Sequence, residues 1–136
     1  MIRKLLGLLL LTGAAALAGV TTTFAHHSSA AYDPSNPLTL DGVITSVNWR
    51  NPHSYVYIDV KDASGATMNW GLETVSPAQF AQRVSPSLLK PGVHIIAKVT
   101  GPRDRTQHIA ALLGLTIDGK YYDSAAAGAR EGRGGQ

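Results

Sequence analysis

The sequence contains no cysteine and no dense cluster of positive charge. The absence of cysteine excludes disulfide bonds, thiolate nucleophiles, thiolate metal sites and a lipid-modified cysteine. The chain carries 12 Lys and Arg residues against 9 Asp and Glu residues, but Arg3 and Lys4 stand near its N-terminus, so the rest is close to neutral. Because neutralisation of phosphates dominates the affinity of proteins for nucleic acids, we expect no nucleic-acid partner.

Recognisable catalytic motifs are absent as well. The sequence has no nucleophile between elbow glycines, no His-Glu-x-x-His zinc motif and no phosphate-binding loop. Asp33, Asp59 and Glu73 do not form an obvious carboxylate pair for hydrolysis. The sequence therefore indicates a binding protein rather than an enzyme.

Residues 1–25 have the order of a secretory signal peptide. Arg3 and Lys4 supply the positive charge, an apolar stretch runs from Leu5 to Val20, and small and polar residues follow. The stretch is diluted by Gly and Thr and is shorter than the roughly 20 residues that cross a bilayer. We therefore expect a bacterial protein that is periplasmic or secreted, with no membrane span after cleavage.

The position of cleavage decides which residue opens the mature chain. Small residues suit signal peptidase at two sites, after Ala18 and after Ala25. We favour cleavage after Ala25, which makes His26 the first residue and leaves roughly 110 residues, enough for one domain. Cleavage after Ala18 would instead make His26 and His27 an ordinary surface pair.

The composition after the signal divides the chain into three segments. Residues 26–37 are polar and unpatterned, and we expect an extended N-terminal arm. Residues 38–122 carry the alternation of apolar and polar residues that indicates β-strands. Residues 123–136 are rich in Ala, Gly and Arg, and we expect a disordered tail. A monomer is expected.

The alternation predicts five strands and one short helix in the order β-β-β-α-β-β. The strands are predicted at residues 38–49, 53–60, 67–73, 93–100 and 108–117, and the helix begins at Ser76-Pro77. Apolar residues of the first strand change parity near Gly42, which suggests a glycine β-bulge. A helix between the third and fourth of five strands is the layout of an OB-fold. The predicted fold class is all-β with one short helix, as a five-stranded, partly open OB-like barrel; an antiparallel sandwich is the alternative.

Polar and aromatic residues gather on one face of the second and third strands. If Val60 lies near Met68, Tyr55 falls opposite Glu73, and His53 is a diagonal neighbour of Glu73. In OB-folds this region and the loop that enters it form the usual ligand surface. The tyrosines can equally be ordinary strand residues that cover the sheet. The predicted ligand-binding residues are Trp49, Asn51, Tyr55, Tyr57 and Asn69.

His26 and His27 stand at the favoured cleavage site. As residue one, His26 can bind a metal ion through its α-amine and its ring nitrogen, and a further His completes a nitrogen-rich site that suits Cu(II). If cleavage leaves Ala25 first, His27 is the third residue. The amine, backbone nitrogens and imidazole then also bind Cu(II).

His53 is the candidate third ligand, and Glu73 can ligate the metal or orient the His53 ring. The arm of about 12 residues reaches up to about 40 Å when extended, so distance permits the site. The predicted metal-binding residues are therefore His26, His27, His53 and Glu73, with copper as the candidate cofactor.

A pattern of His, Pro, Tyr and acidic residues runs from the cleavage site into the third predicted strand. Its members are His26, His27, Ser28, Tyr32, Asp33, Asn51, Pro52, His53, Trp70 and Glu73. In this pattern the chain resembles a family of small exported bacterial proteins known only as a domain of unknown function. The resemblance covers about residues 26–122, with Ser29 standing where an aromatic residue commonly follows His-His-Ser. It implies export and an OB-like barrel, and it implies no established activity.

Two hypotheses of function follow. The first is an exported periplasmic binding module that holds copper through the processed N-terminal histidines and His53. The alternative is a metal-free interaction module that holds an envelope protein, peptide or glycan on the face of Tyr55 and Tyr57. The sequence does not distinguish an unknown envelope protein from a small ligand as the partner.

Overall fold

The computed structural model describes residues 30–124, which form six β-strands and one short α-helix. The strands are β1 (Tyr32–Asn48), β2 (Tyr55–Lys61), β3 (Thr67–Glu73), β4 (His94–Pro102), β5 (Ile109–Ile117) and β6 (Lys120–Asp123). Helix α1 (Pro77–Arg83) and a single 3-10 turn (Pro86–Leu88) lie between β3 and β4. The predicted fold class, all-β with one short helix, is confirmed. The predicted signal peptide, the first residues of the arm and the tail from residue 125 lie outside the described residues.

Five of the strands close into a ring. Their hydrogen-bonded order is β3-β2-β1-β4-β5, and a parallel pairing of β5 with β3 closes it. The other neighbours are antiparallel, and β6 pairs with the second half of β5. This order agrees with the predicted OB-like architecture and is compatible with either a barrel or a sandwich.

The folded part extends beyond the predicted strands at both ends. β1 begins at Tyr32, inside the predicted arm, and β6 follows β5 through a tight turn. Asp118 and Gly119 in this turn both have positive φ, 49° and 77°, as a two-residue type I′ hairpin turn requires. Ser124 is fully buried, and its N–H donates to the carbonyl of Leu113 at 3.0 Å.

Strand β1 is shared between two neighbours. Residues 37–43 pair with β4, and residues 42–48 pair with β2. The pairing with β2 shifts between Ile44 and Ser46, so Thr45 is the extra residue of a β-bulge. The prediction of a bulge at Gly42 is therefore wrong. Inward-facing positions stay even as far as Ile44, and Val43 is 40% exposed.

Gly42 meets a different requirement, the close approach of two backbones. A Cβ atom at this position would lie 2.6 Å from the carbonyl oxygen of Asp59 on β2. Real Cβ atoms do not approach a backbone oxygen so closely, so either the side chain or the β1–β2 pairing would have to give way. Glycine is thus the residue that lets β1 pass from one neighbour to the other.

We expect Gly42→Ala to lower the free energy of unfolding by about 1–3 kcal/mol, because the Asp59 carbonyl is fixed by strand pairing. Gly114→Ala is the matched control. A Cβ there would meet the Tyr121 hydroxyl, the end of a half-exposed side chain that can swing away. Urea denaturation of both variants measures the difference, and a smaller loss at Gly42 than at Gly114 would contradict this explanation.

The hydrophobic core lies inside the ring, and α1 packs against it. Phe80 of α1 is fully buried, and its ring centroid is 5.4 Å from that of Trp49, the residue that follows β1. The helix begins after Ser76 with Pro77 at its first turn, as predicted, although the Ser76 side chain makes no capping hydrogen bond. Among residues 30–124, no helix is long and apolar enough to cross a bilayer.

Candidate functional site

The β2–β3 hairpin has the predicted register. Val60 pairs with Met68, and Tyr55 pairs with Glu73. Val56 and Ile58 of β2 are fully buried in the core, so the alternate residues of both strands lie on the opposite face. This face carries the candidate site, at the end of the hairpin where β2 begins and β3 ends.

His53 and Glu73 are in direct contact. Nδ1 of the His53 ring is hydrogen-bonded to Oε1 of Glu73, which confirms that the two residues lie within side-chain reach. The His53 side chain is 39% exposed and that of Glu73 only 9%. The pair therefore consists of a solvent-accessible imidazole supported from below by a buried carboxylate.

Tyr32 is a third member of this cluster, and the sequence reasoning missed it as a site residue. Its hydroxyl donates a hydrogen bond to Oε2 of Glu73, and the residue is only 7% exposed. Tyr32 lies in the segment that was predicted to be an unpatterned arm. The only sequence signal for it was its place in the family pattern, immediately before Asp33.

The segment that carries Tyr32 is held on β4. Tyr32 pairs with Pro102, and the Arg103 N–H donates to the carbonyl of Ala31 at 2.9 Å. The buried Asn36 donates from Nδ2 to the carbonyl of Pro102 at 3.4 Å. Tyr32 is therefore held beside Glu73 by contacts with the end of β4, and these contacts do not involve the β2–β3 hairpin.

The Glu73 carboxylate is the negative centre of the cluster. Burial, followed by the hydrogen bond to Glu73 and the charge of its carboxylate, raises the pKa of Tyr32 far above its ordinary value. Burial and the same carboxylate also raise the pKa of Tyr55. Both phenols are therefore neutral at pH 7, and the Tyr32 hydroxyl is the donor in its hydrogen bond to Glu73.

The two predicted tyrosines lie side by side. The rings of Tyr55 and Tyr57 are stacked with centroids 6.2 Å apart. A Cβ atom at Gly71 would lie 3.3 Å from Cε1 of Tyr57. The Tyr57 ring therefore packs over Gly71 of the neighbouring strand and covers the sheet there.

The remaining predicted ligand residues are Trp49, Asn51 and Asn69. Trp49 packs against Phe80 at the core, and Asn51 is exposed in the loop before β2, followed by a cis peptide bond to Pro52. The Asn69 amide donates to Asp59 at 2.8 Å. Asn69 is four residues before Glu73, about 13 Å along a strand. The structure thus brings together His53, Tyr55 and Glu73, whereas the contacts found for Trp49 and Asn69 are with Phe80 and Asp59.

Two of the four predicted metal-binding residues lie within residues 30–124, and two lie outside them. Within residues 30–124, no three His, Asp or Glu side chains form a group that could hold a metal ion. His53 and Glu73 belong to this part of the chain. His26 and His27, the other two predicted ligands, lie outside the described residues.

A family model described as "Family of unknown function (DUF6152)" matches residues 15–110. The matched range takes in β1 to β4 and the first residues of β5, and with them every residue of the candidate site. Searches of the curated proteins and of the solved structures found no match to the chain.

Proposed function

The chain belongs to this family of unknown function, and from its own residues we propose that it is an exported binding module for a transition metal ion, copper. In this proposal His26, His27 and His53 ligate the ion, and Glu73 orients the His53 ring. The processed N-terminus supplies the α-amine as a further nitrogen donor.

The contact between His53 and Glu73 is the observation that carries the proposal. Metal-ligating histidines almost always donate their second ring N–H to a carboxylate, a backbone carbonyl or water, which fixes the tautomer and raises the basicity of the ligating nitrogen. With Nδ1 engaged by Glu73, Nε2 of His53 is the nitrogen left for a ligand. The half-exposed ring above a buried carboxylate is what such a ligand needs.

The arm is the natural source of the other ligands. His27 precedes Tyr32 by five positions, a span of at most about 18 Å when fully extended. The Tyr32 hydroxyl bonds to Glu73, so the proposal requires the arm to bring its two histidines to His53 over no more than this length of chain. The described part of the chain supplies one imidazole, and the arm can supply two more and the amine.

Copper is the metal that this donor set favours. Imidazole and amine nitrogens suit Cu(II), which also accepts a planar arrangement of nitrogen ligands. A given site of this kind generally binds Cu(II) more tightly than the other divalent ions of the first transition row. The cysteine-free sequence offers no thiolate for the alternative soft metal sites. Export follows from the signal-peptide order of residues 1–25, which supports a periplasmic or secreted location.

Intact mass of the exported, tag-free protein tests the proposal. The denatured mass should correspond to a chain that begins at His26, and the native mass should exceed it by one copper ion after exposure to Cu(II). The denatured spectrum reads the cleavage site, and the native spectrum reads the metal, so the two parts of the proposal are measured separately.

Two outcomes would overturn the metal-binding proposal. One is a mass that corresponds to a chain beginning at Gly19, in which His26 is not the N-terminal residue and offers no α-amine to the metal. The other is a chain that begins at His26 but shows no copper after exposure to Cu(II). Either result would favour the metal-free alternative, in which the stacked Tyr55 and Tyr57 face holds an envelope protein, peptide or glycan.

A further inference from the structure

The Glu73 carboxylate is held from two sides by two different parts of the chain. His53 contacts Oε1, and Tyr32 donates to Oε2. The torsion that orients a carboxylate group is broad and roughly two-fold, so one contact alone leaves the group free to turn. Two contacts on separate oxygens, one from Tyr32 in β1 and one from His53 in the segment before β2, define the orientation of the carboxylate plane.

Tyr32 is positioned well enough to act as one of these two supports. The residue is buried, and its backbone pairs with Pro102 of β4. The neighbouring Ala31 carbonyl accepts a hydrogen bond from Arg103 at 2.9 Å. A phenol that is fixed by β4 rather than by the hairpin can hold the carboxylate in place when the His53 ring moves.

We propose that Tyr32 is a positioning residue: by holding Glu73 it fixes His53 as the tautomer with the proton on Nδ1 and leaves Nε2 as the nitrogen that accepts a ligand. The assignment of Nε2 to copper rests on the proposed function, whereas the effect of Tyr32 on the His53 tautomer does not.

The effect of Tyr32 on His53 acts through hydrogen bonds alone, and no covalent bond forms or breaks. Nδ1–H of the neutral imidazole donates to the Glu73 carboxylate, and the Tyr32 O–H donates to the other oxygen of the same group. Because the carboxylate accepts at Nδ1, the tautomer with its proton on Nε2 would set two lone pairs against each other. The orientation of Glu73 therefore selects the tautomer of His53.

Nitrogen-15 NMR of the metal-free full mature chain tests this inference through the variant Tyr32→Phe. In alkaline buffer, where imidazole rings are neutral, the wild-type His53 should show a single tautomer with the proton on Nδ1. Tyr32→Phe should show a mixture of both tautomers, and its Cu(II) affinity should fall about tenfold, as for the loss of other outer-shell partners. Tyr121→Phe removes a hydroxyl from a half-exposed ring on β6 and should change neither quantity.

A wild-type measurement stands beside the variant in case Tyr32→Phe folds poorly. The hydroxyl proton of Tyr32 should appear as a downfield, slowly exchanging resonance, as expected for a phenol bonded to a buried carboxylate. A freely exchanging hydroxyl, or the same single His53 tautomer in Tyr32→Phe as in the wild type, would overturn the inference. If the wild type binds no copper, the proposed function fails while the tautomer comparison still decides the role of Tyr32.

Discussion

Cu(II) affinity should fall by about 100-fold or more in His53→Ala, measured on the mature chain by competition with a chelator of known affinity. The substitution removes the one imidazole that the described domain contributes to the proposed site. What remains is the N-terminal chelate alone, whose amine and imidazole nitrogens bind copper without the third ring. The loss should appear as faster release of copper, since the arm remains free to capture the ion.

His94→Ala is the matched control for this measurement. His94 is the first residue of β4, and like His53 it contacts a carboxylate, that of Asp41, at 2.6 Å. The side chains of His94 and Asp41 are both well exposed, 61% and 67%, and the pair belongs to a different part of the sheet, between β4 and β1. An unchanged affinity in His53→Ala would mean that the N-terminal residues hold copper without His53. An equal reduction in both variants would mean that the loss is not specific to His53, and it would also contradict the proposed site.

Phe80→Ala should lower the free energy of unfolding by about 3–5 kcal/mol, the usual cost of removing a buried aromatic ring. Phe80 is fully buried and is the largest of the completely buried side chains. It joins α1 to the core and packs against Trp49. Because whole domains are stable by about 5–15 kcal/mol, this one change should bring the protein close to unfolding.

Urea denaturation followed by tryptophan fluorescence measures this loss. Gln82→Ala, at an exposed position of the same helix, should change the free energy of unfolding by less than about 0.5 kcal/mol. Folded Phe80→Ala should also show altered emission, because Trp49 loses its ring partner. A Phe80→Ala protein as stable as Gln82→Ala would show that α1 is peripheral, and would return Trp49 to the group of candidate ligand residues.

The sequence predicted those features that depend on local alternation and chain direction. The parity of apolar residues in β2 and β3 was enough to pair Tyr55 with Glu73 and to bring His53 close to Glu73. A serine followed by proline marked the start of α1. In each case the determining contacts lie within one hairpin or one helical turn, where the chain offers few alternatives.

Features that depend on distant contacts were not accessible in this way. Tyr32 reaches Glu73 across 41 positions of sequence, and no periodicity links them. Trp49 reads as a loop residue near a ligand surface until Phe80 is seen to cover it. The bulge was predicted at Gly42 because the apolar Val43 was expected to face the core. Val43 faces outward, and the bulge lies at Thr45.

The closing pair of the ring has a consequence for how the chain reaches this structure. Gly71 of β3 pairs with Ile109 of β5, and α1 and β4 lie between them in the sequence. Because this pairing closes a long loop, its entropic cost makes it a slow step that we expect late in folding. Until then both strands present unpaired N–H and C=O groups to other chains. β6, joined to β5 by a two-residue turn, covers part of that edge early. β6 pairs with residues 114–117 of β5 and leaves residues 109–111 for β3, so the stretch of edge that closes last is the one that no local hairpin covers.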